Sequence, residues 1–368
     1  MALDEQALTE KLIRYDTSTP AGIKSAAEFV RGWLEARDIR VDELEHKGLP
    51  VLASVVGPES GPTVALHGHI DVVPAHAEQF APRIDGDRLY GRGAYDMKGG
   101  LAAMMGAVQE LRQQSEVRVA FVVVPDEESE EESDRATDFL VKQGYTPDFA
   151  ITGEPTDLHI GVQAKGVLAM RIEVSGMSAH GATPWLGDNA VLKALDTFRS
   201  IESLPFSRES SDLFDRPSIN LGRILGGDAH NKVPDSCVID VEIRYLPGQD
   251  PEGILSEVSE LPDARIVKHF YRSPVIVDRN NPFVRVLTES VAQFLQTEAI
   301  SVGRDGASDA ICFIDAGVPA VEFGPSGAGH HGPTEWVSLE SLPAYKQALV
   351  DFVRLIPKRL GKQHLRIA

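Results

Sequence analysis

The stretch Leu66-His67-Gly68-His69-Ile70-Asp71-Val72-Val73-Pro74 stands at the end of an apolar run, Thr63 to Leu66, that reads as a buried strand. In a strand, residues i and i+2 point to the same face. His69 and Asp71 are therefore expected to project together where this strand stops. A neutral imidazole is a common ligand for zinc, and a ligating histidine usually gives its other N–H to a carboxylate or carbonyl. His-x-Asp alone also fits an ordinary strand end. Its weight comes from repetition downstream.

Val117 to Val124 is a continuous valine-rich run, read as a buried parallel strand, and Pro125-Asp126-Glu127-Glu128 follows it. Phe149-Ala150-Ile151 is followed by Thr152-Gly153-Glu154-Pro155, and Ala320 to Phe323 by a Gly-rich loop ending in His330-His331. Asp96 lies within Gly91 to Gly100, just before Leu101, Met104, Met105, Val108 and Leu111, which fall at helical spacing. Leu8 to Ala36 reads as helix broken near Thr19-Pro20. This alternation predicts an α/β sheet with helices on both faces. Ligands of such sheets bind at the carboxyl ends of the strands, where these acids and histidines converge. Each has a plainer reading. Glu127 and Glu128 open an acidic run that suits a solvated helix start, Asp96 suits a helix N-cap, Glu154 suits a turn, and His331 suits a loop. All five being plain together is the less economical reading.

From Val167 the pattern changes. Strands at Val167–Val174, Ser218–Leu225, Cys237–Leu246 and Ala264–Phe270 alternate with helices at Asn189–Leu204 and Pro251–Leu261. The order β-α-β-β-α-β is that of a ferredoxin-like unit. After Pro274 the first pattern resumes, with helices at Pro282–Gln296 and Leu342–Leu360. The chain is thus expected to form a discontinuous α/β domain, 1–166 and 277–368, interrupted by a small inserted domain, 167–276.

Composition limits the function. A net charge of -19 argues against nucleic acid. Cys237 and Cys312 lie far apart and outside any CxxC pattern, which argues against a disulfide framework or a thiolate zinc site. They read as reduced thiols of a cytosolic protein. The N-terminus lacks the features of a signal peptide, and no apolar run approaches bilayer length. The expected location is cytoplasmic, without a membrane partner.

Two histidines and three carboxylates suit two divalent ions about 3.5–4 Å apart, with one carboxylate and one water between them. Mixed N/O donors favour zinc, with cobalt or manganese as alternatives. Three carboxylates against two such ions leave a cationic site, suited to a small anionic substrate.

These motifs, in this order along nearly the whole chain, resemble the zinc metallopeptidase and deacylase family that includes succinyl-diaminopimelate desuccinylase, acetylornithine deacetylase, aminoacylases and glutamate carboxypeptidase. The resemblance implies that His69 and Glu154 hold one metal, Glu128 and His331 the other, and that Asp96 bridges. It implies that Asp71 orients His69 and that Glu127 is the general base. The spacing from His331 to Glu335 matches the family's terminal motif and selects His331 over His330. Ser178-Ala179-His180-Gly181-Ala182 resembles the segment whose histidine reaches a partner subunit's active site and stabilises the oxyanion, which implies a homodimer through the inserted domain. Asn231-Lys232-Val233-Pro234 and Arg244 resemble substrate-contacting positions, and a guanidinium suits a carboxylate. Asp309 in Ala307-Ser308-Asp309 resembles a further motif, without a role beyond structure. Where the family often has glycines, this chain has Ser129-Glu130-Glu131-Glu132-Ser133.

The implied activity is metal-assisted hydrolysis of an amide. Family deacylases tend to carry glutamate where Glu154 stands, whereas peptidases tend to carry aspartate. This favours removal of an acetyl or succinyl group from an N-acyl amino acid. A dipeptidase or carboxypeptidase is the alternative, and a non-catalytic binding or scaffold protein on the same fold is a remoter one.

Overall fold

A computed structural model describes residues 4–114, 116–129, 134–295 and 301–361. The chain separates into two compact units. One contains 1–162, 277–302 and 308–368, and the other contains 163–276 and 303–307.

The first unit is built on a mixed sheet with strand order Val41–His46, Leu49–Val56, Arg118–Val124, Thr63–His69, Phe149–Thr152, Ala320–Glu322 and Ile160–Ala164. The four middle strands, from Arg118–Val124 to Ala320–Glu322, run parallel, and antiparallel strands flank them. Parallel strands are buried on both faces, and all but the first residue of Arg118–Val124 and of Thr63–His69 is buried. Successive residues of Thr63–His69 show which helices cover each face. A Cβ on Gly68 would meet Met97 and Leu101 beside the helix Gly99–Leu111, whereas His67 faces Thr137 and Phe313 on the helices Ala136–Lys142 and Ala310–Asp315. Adjacent residues point to opposite faces, so helices cover both, as the alternation predicts.

The break read near Thr19-Pro20 is real. Helix Glu5–Ile13 ends before it, and Pro20–Glu35 begins with Thr19 accepting a hydrogen bond from Gly22 N. Its capping and the proline at N1 are standard helix-start chemistry. The strand read as Thr63–Leu66 extends to His69. The helix read as Pro282–Gln296 ends at Val291, and Gln296 lies outside the described residues. Asp96 is not a helix N-cap: it lies inside the turn Ala94–Lys98, and the regular helix starts at Gly99.

A small antiparallel sheet, in the order Gly327–Ala328, Trp336–Ser338, Arg88–Tyr90 and Arg83–Asp85, joins two distant loops. Trp336 pairs with Tyr90, so the residues after Tyr90 and those before Trp336 lie side by side.

The second unit is a four-stranded antiparallel sheet, ordered Ser218–Gly226, Ser236–Tyr245, Gly166–Ser175 and Arg265–Arg272. Strand Ser236–Tyr245 alternates between buried and half-buried positions after its first residue, the signature of a one-sided core. Cys237, Ile239, Val241 and Ile243 pack with Leu168, Met170 and Ile172 against Ala190 and Ala194 of one helix and Ile254 and Val258 of another. The chain order is β-α-β-β-α-β.

Among the described residues no helix is long and apolar enough to cross a membrane. Cys237 and Cys312 are both buried and lie in different units.

Candidate metal centre

The parallel strands of the first unit end at Val124, His69, Thr152 and Glu322, and three of the five candidate ligands, His69, Glu128 and Glu154, sit on or just beyond three of these ends. His69 is the last residue of its strand and is fully buried. Its Nε2 lies 3.1 Å from Asp96 Oδ1 and 3.8 Å from Glu154 Oε1. His331 Nε2 lies 2.8 Å from Glu128 Oε1 and 3.4 Å from Asp96 Oδ2. The two oxygens of Asp96 therefore face two different imidazoles. Donor atoms of His69, Asp96 and Glu154 lie within 4.8 Å of one another, as do those of Asp96, Glu128 and His331, and those of His69, Glu127 and Glu128.

Asp71 lies against His69, as expected, and also holds the neighbouring turn. His69 Nδ1 lies 3.1 Å from the main-chain carbonyl of Asp71 and 3.5 Å from its carboxylate. The carboxylate also accepts from Glu127 N at 3.3 Å and from Glu128 N at 2.8 Å. Asp71 thereby ties the turn carrying Glu127 and Glu128 to the end of the His69 strand.

Glu335, known from the sequence only as a spacing mark, anchors the other side. It is buried and accepts from Arg92 Nη1 at 2.7 Å, Gly93 N at 3.0 Å, Tyr95 N at 3.0 Å and Asp96 N at 3.1 Å. Arg92 Nη2 also donates to the carbonyl of His331 at 3.0 Å. One ion pair thus fixes the backbone of Asp96 and the loop of His331 together. Below them, Met97 fills space left by missing side chains. A Cβ on Gly68 would lie 2.7 Å, and one on Gly153 2.5 Å, from Met97 Cε. Met97 Sδ in turn accepts from His69 N at 3.4 Å.

The charges explain what this cluster attracts. Burial opposes a proton on His69, but hydrogen bonding to Asp71 and Asp96 outweighs it and raises its pKa well above the usual imidazole value. Hydrogen bonds to Asp96 and Glu128 raise His331 to about 10. Burial pushes Glu127 up to about 8 and also raises Glu154. Burial would raise Asp96 too, but the His331 and His69 imidazoles hold it below the usual carboxylate range. Buried acids in excess, driving their imidazoles to take protons, form a cluster that seeks cations. The imidazole and carboxylate donors fit divalent ions of the zinc type.

A divalent ion must displace the proton that His331 retains up to about pH 10. Acidification strengthens the competitor, so zinc affinity is expected to rise about tenfold per pH unit for each proton displaced. Calorimetric titrations in buffers of different ionisation enthalpy would show proton release. A pH-independent affinity would contradict the charge state of His331.

His180, Asn231 and Arg244 belong to the second unit. His180 is exposed, pairs with Lys232 across a β-bridge, and accepts from Ala182 N at Nδ1. Gly181 N donates to the carbonyl of Asn231 at 2.7 Å, so the His180 and Asn231 loops are neighbours. Arg244 is half-buried on its strand, and its Nε donates to Glu242 at 2.7 Å.

A profile of peptidase family M20/M25/M40 matches residues 65–355. A succinyl-diaminopimelate desuccinylase of Gluconobacter oxydans is 30% identical over 378 residues, covering 95% of this chain and 97% of that protein. A protein of Emericella nidulans described as a probable carboxypeptidase is 31% identical over 259 residues, covering 64% of this chain and 61% of its own. In fold, a Staphylococcus aureus tripeptidase superposes with a TM-score of 0.78 at 22% identity, covering 97% of this chain and 99% of the other. The chain belongs to peptidase family M20/M25/M40, and it is a hydrolase that acts on an amide bond.

Proposed function

We propose that this protein is a dinuclear metal-dependent deacylase that releases acetate or succinate from an N-acyl amino acid. The observation that carries the reading is Asp96, whose two oxygens face two imidazoles, each joined by a glutamate. His69 and Glu154 would hold one ion, Glu128 and His331 the other, and Asp96 would serve both. Zinc suits these donors best, with cobalt or manganese as substitutes. Divalent ions held there would supply Lewis acidity to the water and to the amide carbonyl.

The chain's own groups do the rest. Glu127 takes a proton from the attacking water and delivers it to the leaving amine. Its burial favours this role, because a base poised near neutrality can also return the proton. His180 donates a hydrogen bond to the oxyanion, and Arg244 and Asn231 hold the substrate. Arg244 binds a carboxylate, since its pairing with Glu242 uses Nε and its two terminal nitrogens suit an oxygen pair.

Glutamate at 154 and the desuccinylase relative support an acyl amino acid as substrate, whereas the Emericella relative favours a peptide. His180 acts on a second copy of the chain, within a cytoplasmic homodimer. The second unit supports this with exposed Trp185, Leu186, Leu192 and Leu225, and with the outer strand Ser218–Gly226 at its sheet edge.

The test is hydrolysis by zinc-loaded protein of N-acetyl, N-succinyl and N-formyl amino acids beside simple dipeptides. Cleavage restricted to acyl amino acids is expected, and cleavage restricted to dipeptides would make it a peptidase. Sedimentation should show a dimer, and a fully active monomer would remove the role of His180 on a partner copy.

A further inference from the structure

Arg135 follows the acidic run Glu130-Glu131-Glu132 in sequence, and its guanidinium turns inward. Nη1 donates to Glu127 Oε1 at 3.0 Å and to Asp309 Oδ1 at 2.9 Å. Asp309 is fully buried and also accepts from Thr137 Oγ1 at 2.5 Å. Thr137 has one hydroxyl proton and spends it on Asp309, so it accepts from His67 Nε2, 2.8 Å away. His67, Thr137 and Asp309 thus form a braced base on which one arginine nitrogen is fixed.

Glu127 needs such a brace. Its main chain is tied to Asp71, but that bond leaves the side-chain torsions free. Glu128 crowds it, with donor atoms of the two glutamates within 4.8 Å of each other. A carboxylate that moves protons must be held in orientation, because small misplacements cost large factors in rate. Arg135 occupies one oxygen, and a carboxylate has a second for the proton.

We propose that Arg135, braced by Asp309, is the positioning residue that holds the Glu127 carboxylate in its working orientation. The proposal rests on the reading of Glu127 as the proton-transfer group. It also gives Asp309 a purpose: acting through Arg135 on the base.

The experiment is a double-mutant cycle with zinc-loaded wild type, R135M, E127Q and R135M/E127Q on the best N-acyl amino acid substrate, with zinc content measured in each. R135M is expected to lower kcat about 100-fold, with KM within about twofold and zinc content unchanged. In the E127Q background, R135M is expected to lower kcat no further. An equal loss in both backgrounds, or no loss in either, overturns the proposal. Wild-type turnover by E127Q would instead defeat the reading of Glu127 itself. A crystal structure of R135M should show the Glu127 carboxylate displaced, and an unmoved carboxylate counts against the proposal. If R135M does not fold, R135M/D309N removes the acid left unpaired. Low kcat in that variant supports the proposal, and wild-type kcat overturns it.

Discussion

Glutamine at position 127 is expected to lower kcat by about 10²–10⁴-fold, the usual contribution of a positioned acid–base group, while zinc stoichiometry stays at the wild-type value. The amide keeps the size of the carboxylate and can still accept from Arg135, but it cannot take a proton from water. His69, Asp96, Glu128, Glu154 and His331 are untouched, so the metal donors persist. KM is expected to move little, because the loss falls on the chemical step. Steady-state kinetics with elemental analysis of the same samples checks both halves. Turnover near wild type would place the base elsewhere.

Glu335→Ala is expected to have the largest effect on the fold around the centre. It leaves the Arg92 guanidinium without its carboxylate, and the N–H groups of Gly93, Tyr95 and Asp96 without their acceptor. Breaking a buried ion pair by removing one partner costs about 3–5 kcal/mol. The backbone of Asp96 loses its support at the same time, so zinc affinity should fall by about 10–100-fold, as for other supports of metal ligands. Glu335→Gln retains the shape and one acceptor oxygen, and should lie between. Denaturant unfolding and zinc titration of both variants test this. Unfolding within about 1 kcal/mol of wild type, with unchanged zinc affinity, would show that the loops are anchored elsewhere.

Three of the candidate ligands were legible because they stand on or just beyond strand ends that the apolar runs mark. His69 closes one strand, Glu154 follows Phe149–Thr152, and Glu128 follows Arg118–Val124. The inserted β-α-β-β-α-β order was legible because a one-sided sheet imposes alternation, as in Ser236–Tyr245. The supports were not. Arg92 meets Glu335 across a separation of 243 residues, and Arg135 meets Asp309 across 174. Neither pair leaves a local pattern, because folding alone creates the contact. The hairpin Val41–His46 with Leu49–Val56 escaped for a different reason. Its first strand is an edge carrying Asp42, Glu43 and Glu45, so it lacks the apolar run that marks the central strands.

The order of the donors along the chain has a consequence for biosynthesis. His69, Asp96, Glu128 and Glu154 are all translated before the second unit, and His331 only after it. A ribosome-bound chain paused within that unit has made two of the three donor groups, His69 with Asp96 and Glu154 and His69 with Glu127 and Glu128, but not the one that includes His331. The set that includes His331 depends on a long-range closure, which pays its loop entropy before contacts reward it. On the proposed assignment, an ion held by His331 would be captured only by the finished polypeptide, and a fragment that ends early would not take up a full complement of metal.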